Sequence, residues 1–481
     1  LSVLLTFTSI VFLSLDSWFK AWTYPLIIFI IFSMNFISTH SDYFKYSNYA
    51  YGLDYKKTDE YSIDRIKSLS KNTEVNQESL QNYIATLNNW KKKTGKDKPV
   101  LIIVNSSGGG SRSALWNMTV LQGCNSALNG EFTNNIQLIT GASGGMIGSA
   151  YFRELLLRNH LGDLKSIHSD SFSNNISKDM LNSLAFMGST HDLFIRHQKF
   201  SYHNRQYTKD RGFAFEEQLH RNTKGHLQHN LGYYSTYEKS GEIPTMIFAP
   251  TIINDGRRLL ISSQNLSFLT SPFHKNKNFP SALENLDIHS LLSNQNTSEL
   301  RFSSVLRMNA TFPFVMPMVT LPTEPQVQIM DAGIRDNYGG KVTSEFIFTL
   351  REWIEENTSG VVILQIRDTK NILEGQKYTS ISMLDKLSLP FGNMYKNYPK
   401  VQDFNQEELF KIGLQSYNFP VDVISFNLRE KNSDRISLSW HLTKQEKIKI
   451  KEAFSSKLNK TALEKLREII DFMEKDKFIK K

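Results

Sequence analysis

The chain has 481 residues, of which 40% are hydrophobic and 21% charged, the composition of a globular protein with a sizeable core. Its formal net charge of +9 favours acidic partners, but the sequence carries none of the nucleic-acid-binding motifs, so the charge indicates a membrane surface and not nucleic acid. The single cysteine, Cys124, excludes an intramolecular disulfide and a cysteine-based zinc site.

The N-terminus holds two apolar segments, 1–15 and 23–38, each slightly shorter than the ~20 residues that a helix needs to cross a bilayer. Aromatic residues typical of membrane interfaces flank the break between them: Trp18, Trp22 and Tyr24. A signal peptide is disfavoured because a basic n-region and a small-residue cleavage site are missing, and a pair of buried core helices is the other alternative. We predict that residues 1–38 form transmembrane helices, as a hairpin or as the end of a longer membrane region. Because the chain begins with Leu1, the first segment is expected to be incomplete.

The polar stretch 39–76 is expected to be a linker. Apolar side chains then recur at spacings of three and four within 77–93: Leu80, Tyr83, Ile84, Leu87 and Trp90. This spacing predicts an amphipathic helix that packs against the following domain, with a helix lying on the membrane surface as the alternative. Residues 39–97 would thus connect the membrane segments to the main domain.

Strands and helices alternate from residue 98 onwards. The run 99–105 predicts a buried strand, 106–112 a glycine-rich turn and 113–129 a helix. A second strand over 136–140 then meets the sequence GASGG (141–145), which opens another helix. This β-α-β-α order favours a parallel sheet covered by helices.

Later elements continue the pattern. They are a hairpin at 254–256, a strand at 327–330, a helix at 337–357 and a buried strand at 360–368. The polar, histidine-rich stretch 161–244 is predicted to be an insertion near the functional site. Residues 371–481 are predicted to be a helical extension, in which a capping box formed by Thr443 and Glu446 opens a helix.

Ser143 is the candidate nucleophile, because it is the serine of GASGG. A G-x-S-x-G motif alone does not distinguish a serine held on a strand-to-helix turn from a purely structural turn. The preceding loop carries Gly108, Gly109 and Gly110, whose N–H groups could stabilise an oxyanion at the same sheet edge. A phosphate-binding loop is the alternative, but the lysine of that motif is missing. Arg112 would either anchor a substrate phosphate or brace the loop.

Asp331 is the candidate base, because it stands where a strand ends and a tight turn begins, again at a sheet edge. A surface aspartate that caps the turn is the alternative. His441 is the only histidine after Asp331, so a Ser143-Asp-His441 triad of the α/β-hydrolase type is a second hypothesis. Six histidines fall within 191–229, but their spacing lacks H-E-x-x-H, which favours a solvated insertion over a metal site.

These motifs resemble those of the patatin-like phospholipases, which are lipid acyl hydrolases with a Ser/Asp dyad. The matching segments are GGGSR (108–112), GASGG (141–145), KDRGFAFEEQL (209–219), RMNATFPFVMPMV (307–319) and DAGIRDNYG (331–339). The resemblance covers about 98–370. The chain departs from the family at Ser107, where many members have an acidic residue, and at Ala332, which replaces a glycine and therefore needs a negative φ.

The resemblance implies a three-layer α/β/α fold with a mainly parallel central sheet. It implies that Ser143 attacks an ester carbonyl, that Asp331 is the general base, and that the loop Gly108–Gly110 holds the oxyanion. The expected protein is a membrane-anchored hydrolase of membrane lipid esters in a bacterial inner membrane, without a cofactor, a metal or a nucleic-acid partner. A non-catalytic, membrane-tethered binding protein is the remaining alternative.

Overall fold

The computed structural model describes residues 2–40, 46–192, 196, 198–270, 283–313, 315–369, 417–429 and 436–475, with seven further positions between 401 and 413. The strands in these parts are β1 (Asp59–Glu60), β2 (Val100–Ser106), β3 (Ile136–Gly141), β4 (Lys199–Tyr202), β5 (Arg205–Thr208), β6 (Thr245–Phe248), β7 (Thr251–Ile252), β8 (Arg258–Leu260), β9 (Asn285–Asp287), β10 (Val319–Thr320), β11 (Thr323–Glu324), β12 (Gln328–Met330), β13 (Gly360–Thr369) and β14 (Val421–Arg429).

The α-helices in the same parts are α1 (Ser2–Phe19), α2 (Thr23–His40), α3 (Ile63–Lys71), α4 (Thr73–Thr94), α5 (Gly110–Ala127), α6 (Glu131–Asn135), α7 (Ser143–His160), α8 (Asp170–Ile176), α9 (Leu181–Met187), α10 (Arg211–Asn222), α11 (Ser235–Lys239), α12 (Ile288–Leu291), α13 (Phe302–Asn309), α14 (Gly340–Thr349), α15 (Arg351–Asn357), α16 (Lys444–Ala453) and α17 (Lys457–Lys475).

The central sheet has the strand order β14-β13-β2-β3-β6, and every neighbouring pair is parallel. Strand β2 is buried along its whole length, and its side chains alternate between two hydrophobic clusters. Ile102 and Val104 belong to the cluster that includes residues of α5 and α7. Leu101 and Ile103 belong to the cluster that includes residues of α4, α14 and α15. The predicted arrangement of helices on both faces of a parallel sheet is therefore confirmed.

A second sheet has the order β10-β12-β7-β8-β9 and is mixed. Its antiparallel pair β7 and β8 forms the hairpin predicted at 254–256. Asp331 follows β12, so it is delivered by this second sheet, whereas Ser143 follows β3 of the central sheet. The sequence pattern predicted the strand before Asp331 but not that the strand belongs to a different sheet.

The N-terminal segment gives one candidate membrane span, Thr6–Ile37, by length and composition. A short turn with Lys20 in the left-handed region separates α1 from α2, and the rings of Phe12 and Tyr24 lie 6.0 Å apart across it. Each helix of 18 residues is about 27 Å long, slightly less than the hydrocarbon core of a bilayer. The expectation of several transmembrane helices is therefore not supported. Only 6% of the span's apolar window is buried, which disfavours the alternative of buried core helices.

Residues 46–72 are not the linker that their polarity predicted. Ala50, Tyr51 and Leu53 are buried, and β1 pairs in parallel with β11. The tyrosines of this segment can be buried because their hydroxyl groups find partners: that of Tyr51 donates to Asp210 at 3.1 Å. The helix predicted at 77–93 is α4, and it packs on the sheet rather than lying free on a surface, since Tyr83 is buried in the second hydrophobic cluster.

The C-terminal extension is not purely helical. Strand β14 pairs with β13 at one edge of the central sheet. Helices α16 and α17 follow it in the chain. The predicted capping box of Thr443 and Glu446 is present at the start of α16. The first part of the extension, 371–400, lies outside the described residues. Within the predicted insertion 161–244, the structure places α8 to α11 and the β4–β5 hairpin.

Candidate active site

The backbone around Ser143 forms a strained turn between β3 and α7. Ser143 has φ of +52°, a conformation that residues other than glycine rarely adopt. A Cβ atom on Gly144 would lie 1.9 Å from the carbonyl oxygen of Gly110, and one on Gly145 would lie 2.2 Å from that of Ser107. The small residues of the motif are therefore required by close packing of α7 against the glycine loop, and they hold the Ser143 side chain at the end of the strand.

Asp331 is almost completely buried, and burial raises its pKa to about 6. The N–H of Gly333 donates to Oδ1 at 2.8 Å, and this bond together with the hydroxyl of Ser143 acts in the opposite direction on the pKa. Oδ2 is buried and has no hydrogen-bond partner among the described residues. The structure thus brings the two predicted residues together, with a carboxyl oxygen still able to accept a proton.

Two hydrogen bonds of its backbone fix the position of Asp331. Its N–H donates to the carbonyl oxygen of Thr311 at 3.1 Å, and its own carbonyl oxygen accepts the hydroxyl of Thr251 at 3.1 Å. Ala332 is not among the residues with positive φ, so the alanine in place of the family's glycine causes no strain.

Two asparagines that sequence reasoning missed connect the parts of the site. Asn309 donates from Nδ2 to the carbonyl oxygen of Gly141 at 3.2 Å, and its Oδ1 accepts the N–H of Ala249 at 3.3 Å. The backbone carbonyl oxygen of Asn337 accepts a hydrogen bond from the N–H of Gly108 at 3.2 Å. Both lie inside segments already quoted for the resemblance, RMNATFPF and DAGIRDNYG, so their positions in those motifs were the available signal.

The glycine loop offers two free donors rather than three. The N–H of Gly108 is occupied by Asn337, and that of Ser111 donates to the carbonyl oxygen of Ser439 at 3.0 Å. The N–H groups of Gly109 and Gly110 have no partner of this kind within the described chain, and they stand at the start of α5, where N–H groups lack intrahelical acceptors. The loop can therefore hold an anion between Gly109, Gly110 and the positive end of the helix dipole.

A family model for patatin-like phospholipases matches residues 106–339, the segment that contains the glycine loop, Ser143 and Asp331. These residues form a patatin-like phospholipase domain. The match of this domain supports a lipid acyl hydrolase activity. No curated protein sequence matches the chain.

Solved structures similar to the chain include VipD from Legionella pneumophila, at 12% identity and a TM-score of 0.31, over 77% of this chain and 67% of that one. Human GIVD cytosolic phospholipase A2 is similar at 11% identity and a TM-score of 0.39, over 87% of this chain and 66% of that one. The chain thus spans about two thirds of the length of these proteins.

Arg112 of the patatin-like domain is held by contacts within the chain. Its side chain is buried, donates from Nη1 to the carbonyl oxygen of Ile436 at 2.6 Å and pairs with Asp368 at 3.1 Å. Its charge is therefore already neutralised and shielded from solvent, which disfavours the predicted role as a substrate anchor. Arg112 instead braces the glycine loop against β13 and the C-terminal extension, which was the alternative.

His441 lies outside the patatin-like domain and does not complete a triad in the part of the chain that the structure describes. Its ring is half exposed, and Nδ1 lies 2.7 Å from Oδ1 of Asp179. The histidines of the insertion have structural contacts as well, since His220 contacts Arg301 and His229 stacks on Tyr233. Across the described residues, no group of three or more His, Cys, Asp or Glu side chains is placed to hold a metal ion.

Proposed function

We propose that the patatin-like domain hydrolyses carboxylic ester bonds of membrane lipids, as a phospholipase A or lysophospholipase, with Ser143 as nucleophile and Asp331 as general base. The observation that carries this proposal is the pairing of a serine on a strained strand-to-helix turn with a buried carboxyl group whose pKa is raised to about 6. A base of this pKa is ionised at neutral pH and still able to hold a proton in the transition state.

The reaction would proceed in two halves. Asp331 takes the proton of Ser143 as Oγ attacks the ester carbonyl, and the N–H groups of Gly109 and Gly110 stabilise the oxyanion. Protonated Asp331 then gives its proton to the leaving alcohol, and an acyl-enzyme remains on Ser143. Asp331 next takes a proton from water as the water attacks the acyl-enzyme, and the fatty acid leaves with the Ser143 proton restored.

The N-terminal span supports a membrane lipid as the substrate. If Thr6–Ile37 anchors the protein, the site is held near a bilayer, and tethering raises the effective concentration of an insoluble substrate without any new contact. We therefore propose an anchored protein whose substrate lies in the same membrane.

The test is to incubate the purified full chain with mixed membrane lipids and to measure the fatty acid released. Ser143→Ala and Asp331→Asn should each lose activity by about 10³-fold or more, as for other groups that act as one catalytic unit. Ser171→Ala, a serine in the first turn of α8, is the matched control and should keep full activity. Fatty-acid release that survives in Ser143→Ala would contradict the mechanism.

A further inference from the structure

The chain enters the domain from its N-terminal helices at a fixed point beside Arg196. The backbone N–H of Arg196 donates to the hydroxyl of Tyr46 at 3.2 Å, and Nη2 donates to Oδ1 of Asn48 at 2.8 Å. Arg196 also pairs with Asp192. Only residues 41–45 separate Tyr46 from His40, the end of α2, and an extended chain of this length spans about 20 Å at most. Any membrane that holds the N-terminal helix therefore lies close to this part of the domain.

Helix α9 connects this point to the glycine loop. At its C-terminus α9 continues directly into a single π-helical turn, Gly188–Asp192. This turn ends at Asp192, the residue that pairs with Arg196. At its N-terminus, the N–H of Met180 donates to the carbonyl oxygen of Trp440 at 3.0 Å. Trp440 belongs to the segment 436–442, which we call the strap.

The strap lies directly on the glycine loop. The carbonyl oxygen of Ile436 accepts the guanidinium of Arg112, and that of Ser439 accepts the N–H of Ser111. A Cβ atom on Gly110 would lie 2.7 Å from the same Ser439 oxygen. Helix α9 and the strap together therefore form one continuous surface from the anchor to the proposed oxyanion donors.

This surface carries the two most exposed large hydrophobic side chains that the structure describes after residue 40. They are Phe186 of α9, which is 65% exposed, and Leu438 of the strap, which is 59% exposed. Leu181, at the start of α9, is also exposed. Exposed apolar side chains are ordinary when they are scattered over a surface. Their clustering beside the glycine loop indicates an interaction surface.

Lysines lie at the border of the same surface. The ammonium group of Lys447, at the start of α16, is near Lys178 and Lys451, and burial together with these like charges lowers its pKa. Asp179 is the neighbouring acidic group, and it also contacts His441. Apolar side chains bordered by lysines match the interface of an anionic bilayer, where acyl chains lie beneath phosphate groups.

We propose that α9 and the strap form the face by which the domain lies on the bilayer that holds its anchor, with Phe186 and Leu438 inserted at the boundary between headgroups and acyl chains. The choice of a bilayer rests on the proposed function. This orientation brings Gly109 and Gly110 to the lipid surface, so that an ester group reaches Ser143 without complete withdrawal of the lipid from the membrane.

A labelling experiment tests the orientation without relying on activity. The full chain carrying Ser143→Ala receives Phe186→Cys, Leu438→Cys or, as the control, Ile253→Cys, and each is labelled with an environment-sensitive NBD dye. The native Cys124 is buried and will not compete. Ile253 is exposed but contacts Gln328 at the end of β12 away from Asp331. The proteins are reconstituted in vesicles of phosphatidylethanolamine and phosphatidylglycerol.

Spin-labelled lipids should quench the dye at positions 186 and 438 and leave the dye at position 253 unquenched. Equal quenching at all three positions, or none at 186 and 438, would overturn the proposal. An emission shift at 186 or 438 without quenching by lipid would assign the surface to a protein partner or a second copy, and would overturn it as well.

Activity provides the second arm. Phe186→Asp and Leu438→Asp, in the chain with native Ser143, should each lower hydrolysis of lipid in the vesicles by about 10-fold and leave hydrolysis of a soluble short-chain ester unchanged. Ile253→Asp should change neither. Loss of both activities in the two variants, or of neither, would contradict the docking role. Failure of the native chain itself to hydrolyse either ester would instead contradict the proposed function.

Discussion

The two proposed catalytic residues, Ser143 and Asp331, are positioned in different ways. Ser143 is placed by its neighbours in sequence, because β3, the turn and α7 are continuous and close contacts at Gly144 fix the geometry. Asp331 is placed by segments far away in the chain, through Thr251 and Thr311. A short motif can encode the position of Ser143, whereas the position of Asp331 depends on how the whole domain packs.

Buried charged side chains help to place Asp331. The carboxylate of Glu216, in α10, accepts hydrogen bonds from Arg307, Ser303 and Ser304 of α13, the helix that ends at Asn309. Arg307 and Glu216 are both fully buried. The insertion thus holds the helix that leads into the segment before Asp331. It does so through a buried ion pair between Glu216 and Arg307.

Among substitutions that keep both Ser143 and Asp331, Gly144→Ala should have the largest effect on activity, because it disturbs the turn that places Ser143. Its Cβ would lie 1.9 Å from the Gly110 carbonyl oxygen and force α7 away from the glycine loop. Displacement of a catalytic group by about 1 Å can cost 10²-fold in rate, so fatty-acid release should fall at least that far. Gly162→Ala, which would meet no atom within 4 Å, is the control and should keep its activity. Activity within tenfold of the native chain would show that the turn tolerates adjustment.

Arg307→Met tests how Asp331 is placed. It leaves the carboxylate of Glu216 buried without its cation, which should lower the free energy of unfolding by about 3–5 kcal/mol. Chemical denaturation of the full chain in detergent measures the loss. Arg335→Met breaks the partly exposed pair with Glu284, at 3.1 Å, and should cost less than about 1 kcal/mol. Equal losses in the two variants would mean that the buried pair has no special role in placing Asp331.

Asp331→Asn should stabilise the protein while it abolishes activity. Because burial raises the folded-state pKa to about 6, protonation stabilises the native state, and this stability is lost as the pH rises through 6. At pH 8 the amide should therefore raise the free energy of unfolding by up to about 3 kcal/mol, and at pH 5 by about half as much. Denaturation at both pH values measures the difference. A gain that does not depend on pH would refute the link to ionisation.

The pH profile of the native chain follows from the same carboxyl group. Asp331 acts as a base only when ionised, so kcat/KM should fall about tenfold for each pH unit below 6. A profile that stays flat down to pH 5 would remove Asp331 from this role.

His441→Ala should have the smallest effect, because the ring contacts Asp179 rather than Ser143 or Asp331. We expect hydrolysis of a soluble ester within about twofold of the native rate, since exposed substitutions away from the site change little. A loss comparable to that of Ser143→Ala would restore the histidine triad.

The sequence predicted the elements that short-range patterns determine. Strand β2, the turn at Ser143 and the capping box of Thr443 depend on residues close together in the chain, and all three are present. Strand β14 was missed because Asp422 and Asn427 interrupt its apolar pattern, which is acceptable for a partly exposed strand at the side of a sheet.

The roles of individual polar groups could not be predicted, because they depend on partners that are distant in sequence. The sequence GGGSR fits a substrate-binding arginine and a bracing one equally well, and only Asp368 and Ile436 distinguish them for Arg112. The contact with Asn337 likewise shows that the N–H of Gly108 already has an acceptor within the chain. The polarity of the stretch 39–76 predicts a linker, although tertiary partners make Tyr51 part of the core.

The contact between the strap and the glycine loop has a consequence for biosynthesis. Ribosomes deliver the glycine loop well before the residues around Ser439, which follow it far along the chain. Until those residues emerge, the N–H of Ser111 and the side chain of Arg112 lack their acceptors, and the loop that should hold the oxyanion is unsupported. The glycine loop of a nascent chain would thus take its final form only after the strap has emerged and folded onto it.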